Sequence, residues 1–116
     1  MRLQIINAVN KQRNIKLVIA YQGTRYKGWQ RQPDVMTVQE TVELALQQIL
    51  ARPVQIRGAS RTDAGVHAQG QVANFIVENC PIPPHAFADI LNGKLPDDIA
   101  VRSSVDVPLE FHASRD

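Results

Sequence analysis

Each thing this sequence has little of closes off a class of function. It carries one cysteine, Cys80, in 116 residues. No internal disulfide can therefore staple the fold, which suits a reducing, cytosolic setting. It has no long apolar run. Stretches such as "LVIA" fall far short of the roughly twenty residues of a membrane-crossing helix, and the opening "MRLQIINAVNKQRN" lacks a signal-peptide core. Three histidines, His67, His85 and His112, and Cys80 show no zinc-type spacing, so no metal site is expected. Nor is the composition extreme: 44% hydrophobic and 21% charged residues describe an ordinary globular chain and exclude disorder, collagen and coiled coil. The length suits one core and is short for a complete enzyme with a deep cleft.

The net charge of +2 decides little, but its distribution says more. Lys11, Arg13, Lys16, Arg25, Lys27, Arg31, Arg52, Arg57 and Arg61 all precede residue 62. Such clustering is either a solvated face or the footprint of phosphate contacts.

The apolar pattern predicts six elements. "IKLVIAY" (15–21) alternates with period two and reads as a strand, leaving 1–14 as a tail. "QGTRYKGWQRQPD" (22–34) is a loop. Thr37 and Glu40 have capping-box spacing, and Val38, Val42, Ala45, Leu46, Ile49 and Leu50 then form one helical face that Arg52-Pro53 stops. "VQIRGA" (54–59) and "QVANFIV" (71–77) are strand-like. "PIPPHAFADILNG" (81–93) reads as a helix with proline in its first turn and Gly93 at its end, and "AVRSSVDV" (100–107) as a last strand. The order β-α-β-β-α-β predicts an α+β, ferredoxin-like fold: an antiparallel sheet with two helices on one face. An ordinary RRM is excluded, because the third strand holds one aromatic, Phe75, and no stacking platform.

Between the middle strands lies "GASRTDAGVHAQGQV". If the chain stays extended there, Arg61 and Asp63 point the same way, and the guanidinium favours an ionised carboxylate. Gly65 permits a sharp turn or close approach to a ligand. His67 either contacts substrate or closes the loop by a hydrogen bond. "YKGWQRQ" interleaves Tyr26 and Trp29 with Lys27 and Arg31, which suits RNA contact; the other reading of Trp29 is an anchor on the core. Asp97-Asp98 reads as a solvated turn and Cys80 as inert.

The string "RTDAGVHA", preceded by "YQGTRYKGWQRQ" and "VQETVELAL" and followed by "LN..LP.DI.V" and "FHA", resembles the tRNA pseudouridine synthase A family over Ile15 to Ala113. The resemblance implies isomerisation of uridine to pseudouridine at nucleotides 38, 39 and 40 in the anticodon arm of tRNA, without cofactor. It implies Asp63 as catalytic aspartate, Arg61 as its partner, and His67, Gly65, Arg31, Lys27 and Trp29 around the substrate. It also implies a cytoplasmic homodimer whose members have two such halves, of which 15–116 matches the first. Two departures stand out. Ser60 replaces a usual glycine, and "FHAS" replaces "FHAR", with Arg115 one position later. An alternative from another class is a half-domain that binds RNA without turnover.

Overall fold

The computed structural model describes residues 11–115. Strand β1 (Gln12–Tyr21) is followed by a 3-10 turn (Gly23–Arg25), helix α1 (Val38–Leu50), strands β2 (Arg57–Gly58) and β3 (Ala68–Glu78), helix α2 (Ala86–Asn92) and strand β4 (Ile99–Val107). The sheet order is β2-β3-β1-β4, with every pairing antiparallel. This is the split βαβ arrangement expected from the apolar pattern.

Period two explains the sheet. On β1, Ile15, Leu17, Ile19 and Tyr21 are buried. Their neighbours on β3 are Ala73, Phe75 and Val77, and on β4 Ile99 and Val101. These side chains join Val38, Val42 and Leu46 of α1 and Phe87 and Leu91 of α2 in one core, so both helices cover the same face. Phe75 and Phe87 meet edge to face at 5.5 Å, the preferred geometry of aromatic quadrupoles.

Several boundaries move for identifiable reasons. β1 begins at Gln12 rather than residue 15, because Arg13 and Asn14 pair with Val77 and Ile76 across the sheet. Of the strand expected over 54–59 only Arg57–Gly58 pairs. α2 is shorter than 81–93: its prolines lie ahead of the helix, and the segment is held instead by Arg13, which donates to the carbonyls of Cys80 and Ile82 at 2.9 and 2.7 Å. The capping box at α1 is half made. Glu40 N–H donates to Thr37 Oγ1 at 3.3 Å, while the Glu40 carboxylate turns to Arg31 at 3.6 Å. The helix ends on Ala51 in the left-handed region, φ 57°, just ahead of the expected Arg52-Pro53 stop.

Both irregularities in the β1 pairings, between Val18 and Ile19 and between Ile19 and Tyr21, fall at the Tyr21 end of the strand. Bulges concentrate where a sheet re-aims its edges near a site.

Candidate nucleic-acid interface

At that end of the sheet two loops, 22–30 and 59–67, are joined along their backbones. Trp29 N–H donates to the Thr62 carbonyl (3.1 Å), and Gly65 N–H to the Tyr26 carbonyl (3.2 Å). The backbone N–H of Gly23 donates to His67 Nδ1 (2.9 Å). Three glycines make this approach possible. A Cβ on Gly23 would sit 1.9 Å from the Val66 carbonyl oxygen, one on Gly28 2.4 Å from that of Thr62, and one on Gly58 2.4 Å from Trp29 Nε1. Gly65 has a different task. Its φ of 81° turns the loop, and nothing crowds its missing side chain. From the sheet side, Ser60 donates its hydroxyl to Gln71 Oε1 (3.2 Å), while Gln71 Nε2 donates to the Ser60 carbonyl (2.6 Å).

The held backbone presents Asp63 to solvent. A cavity of about 360 Å³ is lined there by Asp63, Arg61, Thr62, Lys27 and Gln32. Asp63, Arg61 and Lys27 are exposed, and their side chains enter none of the ion pairs or hydrogen bonds among the described residues; the Lys27 carbonyl accepts from Gln32 Nε2 at 2.8 Å. The expected Arg61–Asp63 pair is thus not formed. β2 ends at Gly58 and the chain bends at Ala59 and Ser60, so Arg61 and Asp63 lie outside the strand whose two-residue register would have aligned them. One carboxylate and two free cations share one opening, with their main chain fixed.

Other expected site residues are placed differently. Trp29 is 3% exposed, stacks on Tyr21 at 6.2 Å and covers Gly58, so it anchors the loop and offers no face to a base. Arg31 is drawn away to α1, donating to Glu43 Oε1 at 2.7 Å and lying near Glu40. His67 closes the loop through Nδ1. Of the nine early cations, Arg13 is tied to Asp106 and Arg25 to Asp98 as well. A larger depression of about 1070 Å³ runs along α1 past Arg25, Arg31, Met36 and Leu44. The loop bearing Asp63 lines the smaller one, which is where we place the site. Among the described residues no group of three or more His, Cys, Asp or Glu side chains could hold a metal ion. No helix among them is long and apolar enough to cross a membrane.

Two supporting residues escaped sequence reasoning. Asp98, expected to be solvated, accepts from Arg25 Nε (2.8 Å) and the Tyr26 hydroxyl (2.7 Å). Partial burial works to raise its pKa, but the Arg25 and Tyr26 hydrogen bonds prevail and hold it below the usual carboxylate range. Burial, and then the bond to Asp98, push Tyr26 up to about 12. Glu43, 4% exposed, accepts from Arg31, from Gln39 Nε2 (3.2 Å) and from the Ile56 N–H (2.8 Å), tying α1 to the approach of β2. In sequence it looks like any polar helix position; only its place on the Val38–Val42–Leu46 side hints at burial.

A family model described as tRNA pseudouridine synthase matches residues 17–115. A tRNA pseudouridine synthase A from Acetivibrio thermocellus is 52% identical over 101 residues, covering 87% of this chain and 41% of that protein. One from Synechocystis sp. is 51% identical over 106 residues (91% and 38%), and one from Citrifermentans bemidjiense 53% over 100 residues (86% and 40%). The chain spans about two fifths of the length of the curated relatives it matches.

Proposed function

The chain belongs to the tRNA pseudouridine synthase family, and from that premise we propose that it is the aspartate-bearing half of an enzyme isomerising uridine to pseudouridine in tRNA. The substrate nucleotides in this reading are 38, 39 and 40 of the anticodon arm, and the setting is a cytoplasmic homodimer. The reaction breaks the bond from ribose C1′ to uracil N1, turns the base and joins C1′ to C5. The proton on C5 leaves and N1 gains one, so no electrons, water or group are exchanged and no cofactor is called for. Asp63 serves at the sugar–base junction as nucleophile or base. The uridine is first extruded from its stack, and Arg61 takes its place or contacts the neighbouring phosphate. Lys27 holds the backbone, since an exposed ammonium beside the cavity with no partner among the described residues is available to a phosphate. Gly65 shapes the turn, and His67 holds it.

The observation that carries this reading is the juxtaposition of Asp63, Arg61 and Lys27 at one cavity, on two loops hydrogen-bonded to each other along their backbones. The experiment is tritium release from tRNA labelled at uracil C5, using the whole protein that carries this chain. Asp63→Asn is expected to lower turnover by about a thousandfold or more. Retention of wild-type turnover would remove Asp63 from the chemistry.

One feature favours a second reading, a half-domain that binds RNA without turnover. No aromatic residue lines the Asp63 cavity, so the described residues give an extruded uracil nothing to stack on there. Pseudouridine formation by the 116-residue chain alone would exclude it.

A further inference from the structure

Asp63 has no side-chain partner among the described residues, so whatever aims it acts through the adjoining backbone. Thr62, immediately before it, is gripped from two sides. Its Oγ1 lies 2.8 Å from the Tyr21 hydroxyl, and its carbonyl accepts the Trp29 N–H at 3.1 Å. The second grip cannot tighten further, because the same carbonyl already fills the space a Cβ on Gly28 would take. The first comes from the core rather than from another loop. Tyr21 ends β1, is 4% exposed, and stacks on Trp29 with ring planes 28° apart.

Resting on the isomerase reading of Asp63, we propose that Tyr21 is a positioning residue for the reaction. Its hydroxyl, bonded to Thr62, fixes the peptide that bears Asp63 and so aims the carboxylate into the cavity shared with Arg61 and Lys27. Tyr21 touches no substrate. Its ring stacks on Trp29, its hydroxyl meets Thr62, and it does not line the Asp63 cavity. The geometry makes this consequential because an exposed carboxylate with no partner has nothing else to restrict it, and small misplacements of a reacting group cost rate steeply. A tyrosine hydroxyl that merely needed satisfying would leave turnover indifferent to its removal.

The test uses the whole protein carrying this chain, with tRNA turnover by tritium release and amide hydrogen exchange read on the same samples. Tyr21→Phe removes one hydroxyl and keeps the ring. Thr62→Val removes the other and keeps the shape. Each is expected to lower kcat about tenfold with KM for tRNA within about twofold, and the double variant to fall no further than the single ones. Thr62→Ser restores the bond and kcat. Exchange at the Trp29 and Gly65 amides should quicken about fivefold in both single variants, the loss of one neutral hydrogen bond. Unchanged kcat and exchange in both, losses that multiply in the double variant, an effect confined to KM, or failure of Thr62→Ser to rescue would each overturn the proposal. Should Tyr21→Phe not fold, Thr62→Val breaks the same bond from the loop side. If Asp63→Asn keeps wild-type turnover, the isomerase reading falls separately, and exchange at Trp29 and Gly65 then decides the strut alone.

Discussion

The two ends of β1 treat polar groups in opposite ways. At its start, Arg13 is bonded to Asp106 and to two carbonyls. Beside it Asn14 donates to the carbonyls of Pro108 and Phe111, while Asn74 donates to Asn14 Oδ1 and accepts from the Ala113 N–H. Asn14 and Asn74 are consumed in pinning the 108–113 segment, and Arg13 in holding β4 and the 80–82 segment. At the other end the backbone is equally well held, by Gly23, Trp29, Gly65 and their partners. There, however, the charged side chains of Lys27, Arg61 and Asp63 have no partners among the described residues. Side chains spent on structure fix a fold. Side chains left free on a fixed backbone are available to a ligand. That contrast, more than charge alone, separates a site from a surface.

The strongest way to break the contrast is to loosen the backbone at the Asp63 end. Gly28→Ala puts a Cβ 2.4 Å from the Thr62 carbonyl at a residue with φ 89°. We expect a loss of about 4 kcal/mol, from the clash and the left-handed backbone together. Chemical denaturation should show it, and turnover should be lost in whatever remains folded. Next is Asn74→Ala at the other end. It strands Asn14 Oδ1 and the Ala113 N–H inside the fold, costing about 3 kcal/mol. Turnover per folded molecule should be unchanged, since nothing near Asp63 moves. An equal loss of turnover would show that the two ends are coupled and that the contrast is drawn too sharply.

Tyr26→Phe is smaller, about 2 kcal/mol for a hydrogen bond to a charged partner. It carries a pH signature. Folding raises the Tyr26 pKa from 10.0 to about 12, through burial first and the Asp98 bond second. The folded state therefore holds that proton more tightly, and the contribution is whole below pH 10 and fades as pH climbs towards 12. Asp98 works the other way. Its pKa is lowered from 3.8, so its share is present above that pH and disappears as the medium becomes more acidic. Denaturant midpoints measured from pH 3 to 11 should fall at both extremes in the parent. In Tyr26→Phe the alkaline fall should shrink.

Much of the fold could be read in the sequence because burial writes itself as period. Ile15, Leu17, Ile19 and Tyr21 alternate, and Val38, Val42 and Leu46 recur at helical spacing. The lengths of β2 and α2 were not legible. β2 stops where Gly58 meets Trp29, and the 81–85 segment is held by an arginine more than sixty residues away. The Asp63 loop was legible as a motif but not as a geometry. Local spacing suggested an Arg61–Asp63 pair, whereas the loop's course is set by Tyr21, Tyr26 and Trp29, all distant in the chain. Gly23 and Gly28 mark 22–34 as a loop in the sequence; the reason for each is the backbone opposite it.

The least disruptive substitution sharpens the contrast most. Lys27→Ala removes an exposed ammonium that has no partner among the described residues, so stability should stay within about 0.5 kcal/mol of the parent. If that charge exists for a phosphate, tRNA affinity should nevertheless fall severalfold, and the slope of log affinity against log salt should flatten by about one. Arg13→Ala should do the converse. Its guanidinium is committed to Asp106 and to the Cys80 and Ile82 carbonyls, so it should cost stability and leave the salt slope untouched. Two cations of one basic stretch, removed in the same way, would then separate by function. If both flattened the slope equally, the early basic cluster would act as a diffuse field, and which partners each side chain has in the fold would not matter to RNA binding.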